Sequence, residues 1–210
     1  TLIHTLAGLR EPRAGGVTLD DATLSSLPGP ERARRIGILL QRQEDAFPST
    51  VLESVLIGRH PHIHGWAWES TQDLDAARQA LAAVDLTDLE QRQVGTLSGG
   101  ERRRLAVATV LAQDPELLLL DEPTNDLDLH HQMQVLTRAT ALAREGRGVM
   151  MIVHDPNIAA RFCDRLLFLY GEGEWEEGGA ELLTEARLER LYRHPVERLE
   201  GSNGAVFVAR

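Results

Sequence analysis

The chain has 210 residues, 32 acidic against 22 basic for a formal net charge of −10, and a single cysteine, Cys163. That length can bury a substantial core without staples, and one thiol excludes a disulfide framework and suits a reducing compartment. The acidic balance weighs against a surface that tracks nucleic-acid phosphates. No apolar run reaches the ~20 residues of a membrane span, and Thr1-Leu2-Ile3-His4 does not read as a secretory leader, so a soluble, cytoplasmic protein is expected.

In chain order, residues 1–9 read as a helix ended by the Pro/Gly loop Arg10 to Gly16, and Val17-Thr18-Leu19 as a short strand closed by Asp20-Asp21. A turn cluster at Ser25 to Pro30 leads through a charged helix, Glu31 to Arg35, into an apolar strand at 36–40. Gln41 stands at the end of that strand and opens a polar loop, followed by a helix at Val51 to Ile57. In Gly58 to Trp66 the alternating His60, His62 and His64 invite a metal reading. With Pro61 among them and no acidic or cysteine partner adjacent, an exposed loop is the stronger reading. Leu74, Ala77, Leu81 and Val84 recur at helical steps across 70–84. The Arg102-Arg103-Arg104 cluster reads as the solvated face of a helix at 100–113.

Further on, His130 to Ala143 reads as a helix with His130 and His131 as surface residues of its first turn, before a strand at 149–153. His154 stands at that strand's end, followed by the turn Asp155-Pro156-Asn157 and a helix at 157–163. The tail reads as a hairpin, Arg165 to Tyr170 with Glu174 to Glu177 around Gly171-Glu172-Gly173, then a helix from Ala180 to Arg193 and a final strand, Ala205 to Ala209, after the turn Gly201 to Gly204.

Two stretches carry chemistry. In Leu97-Ser98-Gly99-Gly100-Glu101, Ser98 and Glu101 have the form of a capping box. A glycine pair in a first turn is costly, about 1 kcal/mol each against alanine. The pair makes sense where an anion approaches bare N–H groups at a helix N-terminus. Leu117 to Pro123 is an apolar run with no amphipathic period, hence a strand buried on both faces, and such strands present ligand-binding groups at their carboxyl ends. Asp121 and Glu122 are adjacent, so in an extended chain they face opposite ways and must divide their roles: one to hold hydrated Mg²⁺, the other to orient or deprotonate water.

With both stretches in order, the chain resembles the ATP-binding-cassette ATPases. LSGGE is similar to their signature motif, LLLLDEP to Walker B with its glutamate, and Asn125-Asp126-Leu127-Asp128 to the D-loop, while Gln41 and His154 match the glutamine and histidine the resemblance requires. It implies an α/β fold, a P-loop NTPase (RecA-like) core, with residues 42–96 as a helical subdomain and a remnant antiparallel β subdomain beside it. The family's GxxGxGK[ST] loop has no counterpart, since all 22 basic residues are arginine. The resemblance places Thr1 just after that triplet, near the α-phosphate, and the chain is read as N-terminally truncated.

What the resemblance implies is an ATPase with ATP and Mg²⁺ as cofactors. Glu122 would be the general base, with Asp121 and Gln41 at Mg²⁺ and His154 at the γ-phosphate. Ser98, Gly99 and Gly100 would bind the nucleotide held by the opposite subunit of a homodimer, and Asp128 would couple the two sites. The stretch from Ala46 to His62 is similar to importers of iron chelates, haem and vitamin B12. That implies an integral-membrane permease as partner, a substrate-binding protein beyond it, and a place on the inner face of the membrane. Trp66 and Trp68 would lie near the permease or pack locally. Two rivals stay open: a soluble cassette ATPase acting on ribosomes or nucleic acid, and a fragment unable to hydrolyse ATP.

Overall fold

The computed structural model describes residues 2–41, 48–63, 68–201 and 204–210. Thr1, His64 and Trp66, singled out above, lie outside the described residues. The chain divides into two compact units, Thr1–Ile152 and Val153–Arg210.

The first unit opens with α1 (Leu2–Leu6) and the two-residue strands β1 (Thr18–Leu19) and β2 (Ala22–Thr23), which pair antiparallel across the turn at Asp20 and Asp21. Next come α2 (Gly29–Arg35) and β3 (Ile36–Leu39), then α3 (Val51–Ile57) and α4 (Thr71–Ala82). The unit is completed by α5 (Gly99–Gln113), β4 (Leu117–Asp121), α6 (Leu129–Arg144) and β5 (Gly148–Ile152). β3, β4 and β5 form a parallel sheet in that order, with Leu39 opposite Leu120 and Asp121 opposite Ile152.

The apolar run of β4 is buried on both faces, as its lack of period requires. Leu118 and Leu120 pack with residues of α5 and α6, while Leu119 packs with Ile3, Ala7, Leu24 and Ile36 on the other side. Each leucine so buried contributes on the order of 2 kcal/mol. β4 is therefore the layer about which the helices are arranged, and its carboxyl end delivers Asp121.

The helices of the 42–96 insertion lie within the first unit and pack on α5. Gly58, at the end of α3, is required by close approach: a Cβ there would lie 2.2 Å from the backbone oxygen of Thr109 on α5. Arg59 follows, its Nε donating to Asp73 Oδ1 at 2.9 Å and its Nη1 to the Ala112 carbonyl at 2.7 Å. Asp73 also closes the capping box of α4, accepting from the Ser70 hydroxyl at 2.6 Å and the Ser70 amide at 3.0 Å. One half-hidden ion pair thus ties the end of α3, the start of α4 and the last turn of α5. The first two histidines of the loop form a 3-10 turn, His60–His62, and the His62 ring is bonded to the Gln113 carbonyl at 2.8 Å.

The second unit contains α7 (Pro156–Phe162), the hairpin β6 (Leu166–Gly171) with β7 (Glu174–Gly178), α8 (Glu185–Tyr192), and the hairpin β8 (Val196–Gly201) with β9 (Gly204–Ala209). Its core joins Ala159, Leu166, Phe168, Leu188, Val196 and Phe207. Cys163 packs against that core and burial pushes its thiol pKa up, the behaviour of a small hydrophobe. One expectation for the tail is corrected here. The helix expected over 180–193 is broken: a 3-10 turn at Ala180–Leu182 gives way to α8, because Thr184 caps a new start by accepting from the Arg187 amide at 3.4 Å. Residues 196–201 form a full strand pairing with β9. No helix among the described residues is long and apolar enough to cross a membrane.

Hydrogen bonds from Ser70, then the charge of Arg59, lower the Asp73 pKa from 3.8 to about 2. A depressed carboxyl stabilises above its unfolded value and loses that contribution as pH falls through the folded one. Asp73→Asn is therefore expected to cost about 2 kcal/mol at neutral pH, a penalty that closes between pH 4 and 2. Urea unfolding of both proteins across that range checks it, and a pH-independent difference refutes the ionic contribution.

Candidate functional site

α5 begins where its sequence says it should. Ser98 is extended, its Oγ accepts from the Glu101 amide at 3.3 Å, and Glu101 accepts from the Ser98 amide at 2.7 Å. The two glycines that follow have different reasons. A Cβ on Gly99 would meet no described atom within 4 Å, whereas one on Gly100 would sit 3.1 Å from the backbone oxygen of Asp126. Gly99 leaves the helix N-terminus open to an approaching anion, and Gly100 lets the loop after β4 press on the signature turn.

At the carboxyl end of the sheet, Gln41 Nε2 donates to Glu122 Oε2 at 3.0 Å. The amide of Asn125 donates to the same oxygen. Glu122 has φ of 48°, so the strand's alternation stops at Asp121 and the opposite-facing argument for the two carboxylates does not extend through Glu122. Its backbone is tied on both sides, the amide donating to the Ile152 carbonyl at 3.2 Å and the carbonyl accepting from the Asn125 amide at 3.2 Å. A non-glycine residue in the left-handed region costs on the order of 1 kcal/mol and clusters at functional sites.

Arg103 is the residue the sequence reading misplaced. It is 7% exposed, and its guanidinium donates to the carbonyls of Leu40 at 2.7 Å, Asp121 at 2.5 Å and Glu122 at 2.6 Å. The arginine cluster is not one solvated face: Arg102 is exposed as expected, whereas Arg103 is buried and Arg104 half-buried. Arg102 reaches the carbonyls of Leu97 and Gly95, and Arg104 those of Val84 and Asp85. Helical spacing carried the signal, since Arg103 shares the stripe of Ala106, Val107 and Val110, all buried. Burial lowers the Arg103 pKa, opposed by the charges of Asp121, Asp126 and Glu122.

Asp128 is extended and caps α6, its Oδ1 accepting from the His131 amide at 3.0 Å and paired with His131 Nδ1 at 2.8 Å. These bonds, the amide first, lower its pKa. His131 is thus half-buried and engaged, not a plain surface residue. His154 follows the end of β5 by two positions and belongs to the second unit, where its carbonyl accepts from the Tyr192 hydroxyl at 2.8 Å. Gln41, Ser98, Gly99, Gly100, Asp121, Glu122 and Asp128 all lie in the first unit. Asn125 joins Arg103 as a site residue the sequence reading did not single out.

The donor set fits a nucleotide and a hard cation. The Asp121 carboxylate and the Gln41 side-chain carbonyl are oxygen ligands of the kind Mg²⁺ takes, and the open α5 N-terminus offers amide donors to phosphate.

A family model described as ABC transporter matches residues 1–125. A hemin import ATP-binding protein of Nocardia farcinica is 44% identical over 201 residues, a match covering 95% of this chain and 69% of that protein. Among solved structures, an inward-facing ABC transporter of metal-chelate type superposes with a TM-score of 0.81 at 29% identity, over 100% of this chain and 80% of that one. A dimeric ATP-binding cassette in a post-hydrolysis state, bound to ADP and Pi, gives 0.73 at 26% identity over 85% of this chain and 78% of its own. With that match across more than half its length, on a parallel sheet whose edge carries Gln41 and Glu122 against the Ser98 helix, this chain belongs to the ABC transporter family as an ATP-binding cassette.

Proposed function

We propose that this chain is the ATP-hydrolysing cassette of an importer for a metal chelate, of the haem or iron-siderophore type. The observation that carries the enzymatic part is the convergence of Gln41 and Asn125 on one carboxylate oxygen of Glu122. Two amides fix that carboxylate beside a strand end, as a general base awaiting a water requires. The cargo class rests on likeness to the hemin import protein and the metal-chelate transporter.

In this reading Asp121 and Gln41 hold Mg²⁺, which supplies charge neutralisation at the phosphates. Glu122 takes the proton of the attacking water. The cassette works as a homodimer, in which Ser98, Gly99 and Gly100 of one copy bind the nucleotide carried by the other, and Asp128 couples the two sites. The dimer sits on the inner face of the membrane against an integral permease, fed by a substrate-binding protein.

Two measurements test this assignment. Glu122→Gln, made in the protein expressed from its complete coding sequence, is expected to bind ATP and to lose at least about a hundredfold in hydrolysis rate; turnover at the wild-type rate refutes the base. Arg103→Met takes a donor from the Leu40, Asp121 and Glu122 carbonyls, and Glu122 keeps only the Asn125 amide; a buried carbonyl left without a donor costs about 1–3 kcal/mol. A loss of at least about 2 kcal/mol in urea unfolding is expected, with Arg103→Lys between, because an ammonium cannot span all three. Wild-type stability in Arg103→Met would remove it from the site's framework.

A further inference from the structure

We propose that Asp85, His130 and His131 form a binding site for a divalent transition cation of the zinc class, separate from the nucleotide's Mg²⁺. One ligand atom from each lies within 4.8 Å of the other two. Asp85 comes from the turn after α4 and the histidines from the first turn of α6, so the cluster joins segments far apart in sequence.

His130 Nε2 lies 3.7 Å from Asp85 Oδ2, too far for a hydrogen bond, which needs about 2.7–3.2 Å. Metal arms of about 2.0–2.1 Å in a tetrahedron set ligand atoms about 3.4 Å apart, so small rotations of exposed side chains complete the site. The side chains of His130 and Asp85 are 76% and 54% exposed, and an exposed pair contributes little to stability.

The outer partners are those of a metal site. His131 Nδ1 is held by the Asp128 carboxylate at 2.8 Å, leaving Nε2 as the nitrogen for a cation, the carboxylate–histidine–metal arrangement that fixes ring and tautomer. Gln134 Nε2 donates to Asp85 Oδ2 at 2.9 Å and steadies that carboxylate. The nearby guanidinium of Arg104 is engaged with the Asp85 backbone carbonyl, not its carboxylate. Two imidazoles and one carboxylate favour a borderline cation such as Zn²⁺ or Co²⁺ over Mg²⁺. Water would fill a fourth position. A cation bound there pins the end of the helical insertion to the helix that follows Asp128.

The test is Co²⁺ and Zn²⁺ titration of the tag-free chain after chelator treatment, read by visible cobalt absorption and by calorimetry. One equivalent of Co²⁺ is expected to develop the intense bands of a low-coordinate site and to be displaced by Zn²⁺. His130→Ala and Asp85→Asn, both at exposed positions, should each weaken binding at least about tenfold, with circular dichroism unchanged. The double variant His60→Ala, His62→Ala should bind as the wild type does. No stoichiometric binding, wild-type affinity in His130→Ala and Asp85→Asn, or loss of binding only in the His60, His62 variant would each overturn the proposal.

Discussion

The site depends on one buried guanidinium. Buried carbonyls at the carboxyl end of a sheet are costly when left without donors. Arg103 supplies donors to three of them, at Leu40, Asp121 and Glu122. Moving its charge out of water carries a penalty of several kcal/mol. The nearby charges of Asp121, Asp126 and Glu122 oppose that penalty. Because Arg103 lies one turn from Gly99 on α5, the same side chain fixes the anion-binding helix start relative to the strand end that bears the carboxylates. Within one chain these two halves cannot drift apart without unpairing the carbonyls.

α5 extends that constraint outward. At 15 residues it spans about 22 Å. Its N-terminal end carries the signature turn, and its C-terminal end receives Arg59 at the Ala112 carbonyl. Along its side Arg104 holds the turn after α4 by the carbonyls of Val84 and Asp85. Gly58 permits α3 to lie against the Thr109 backbone. The helical insertion is therefore wired to one rigid helix at several points, and a displacement of α3 or α4 is delivered to the Ser98 turn through α5.

Much of this was legible in the residues, and the parts that were not share a cause. β4 declared itself because a run of four leucines without helical or strand period has only one economical place, the middle of a parallel sheet. The start of α5 declared itself through side chains that bond their own backbone, a local property. Arg103 did not, since three adjacent arginines suggest a solvated face and only the stripe it shares with Ala106, Val107 and Val110 says otherwise. The glycine pair was read as one feature, whereas the need for Gly100 comes from the Asp126 carbonyl, a contact that no local rule contains. β8 was missed because Val196 to Gly201 is mostly exposed and carries charge at Glu197, Arg198 and Glu200, so its pairing with β9 rests on backbone bonds more than on an apolar face.

Glu122 shows how the framework serves the chemistry. Side chains that alternate along a strand cannot bring two adjacent carboxylates to one edge. The chain breaks the alternation by leaving the strand at Asp121 and turning Glu122 into the left-handed region. That conformation is unfavourable by itself, on the order of 1 kcal/mol. It persists because the neighbourhood over-determines it. The Glu122 amide is fixed to Ile152, its carbonyl to Arg103 and to Asn125, and its carboxylate to Gln41 and Asn125. Of these, Gln41 is the contact that lies across the sheet from β4, at the end of β3. The carboxylate's position therefore depends on where the end of β3 sets the Gln41 amide, which makes one side-chain hydrogen bond the link between β3 and Glu122.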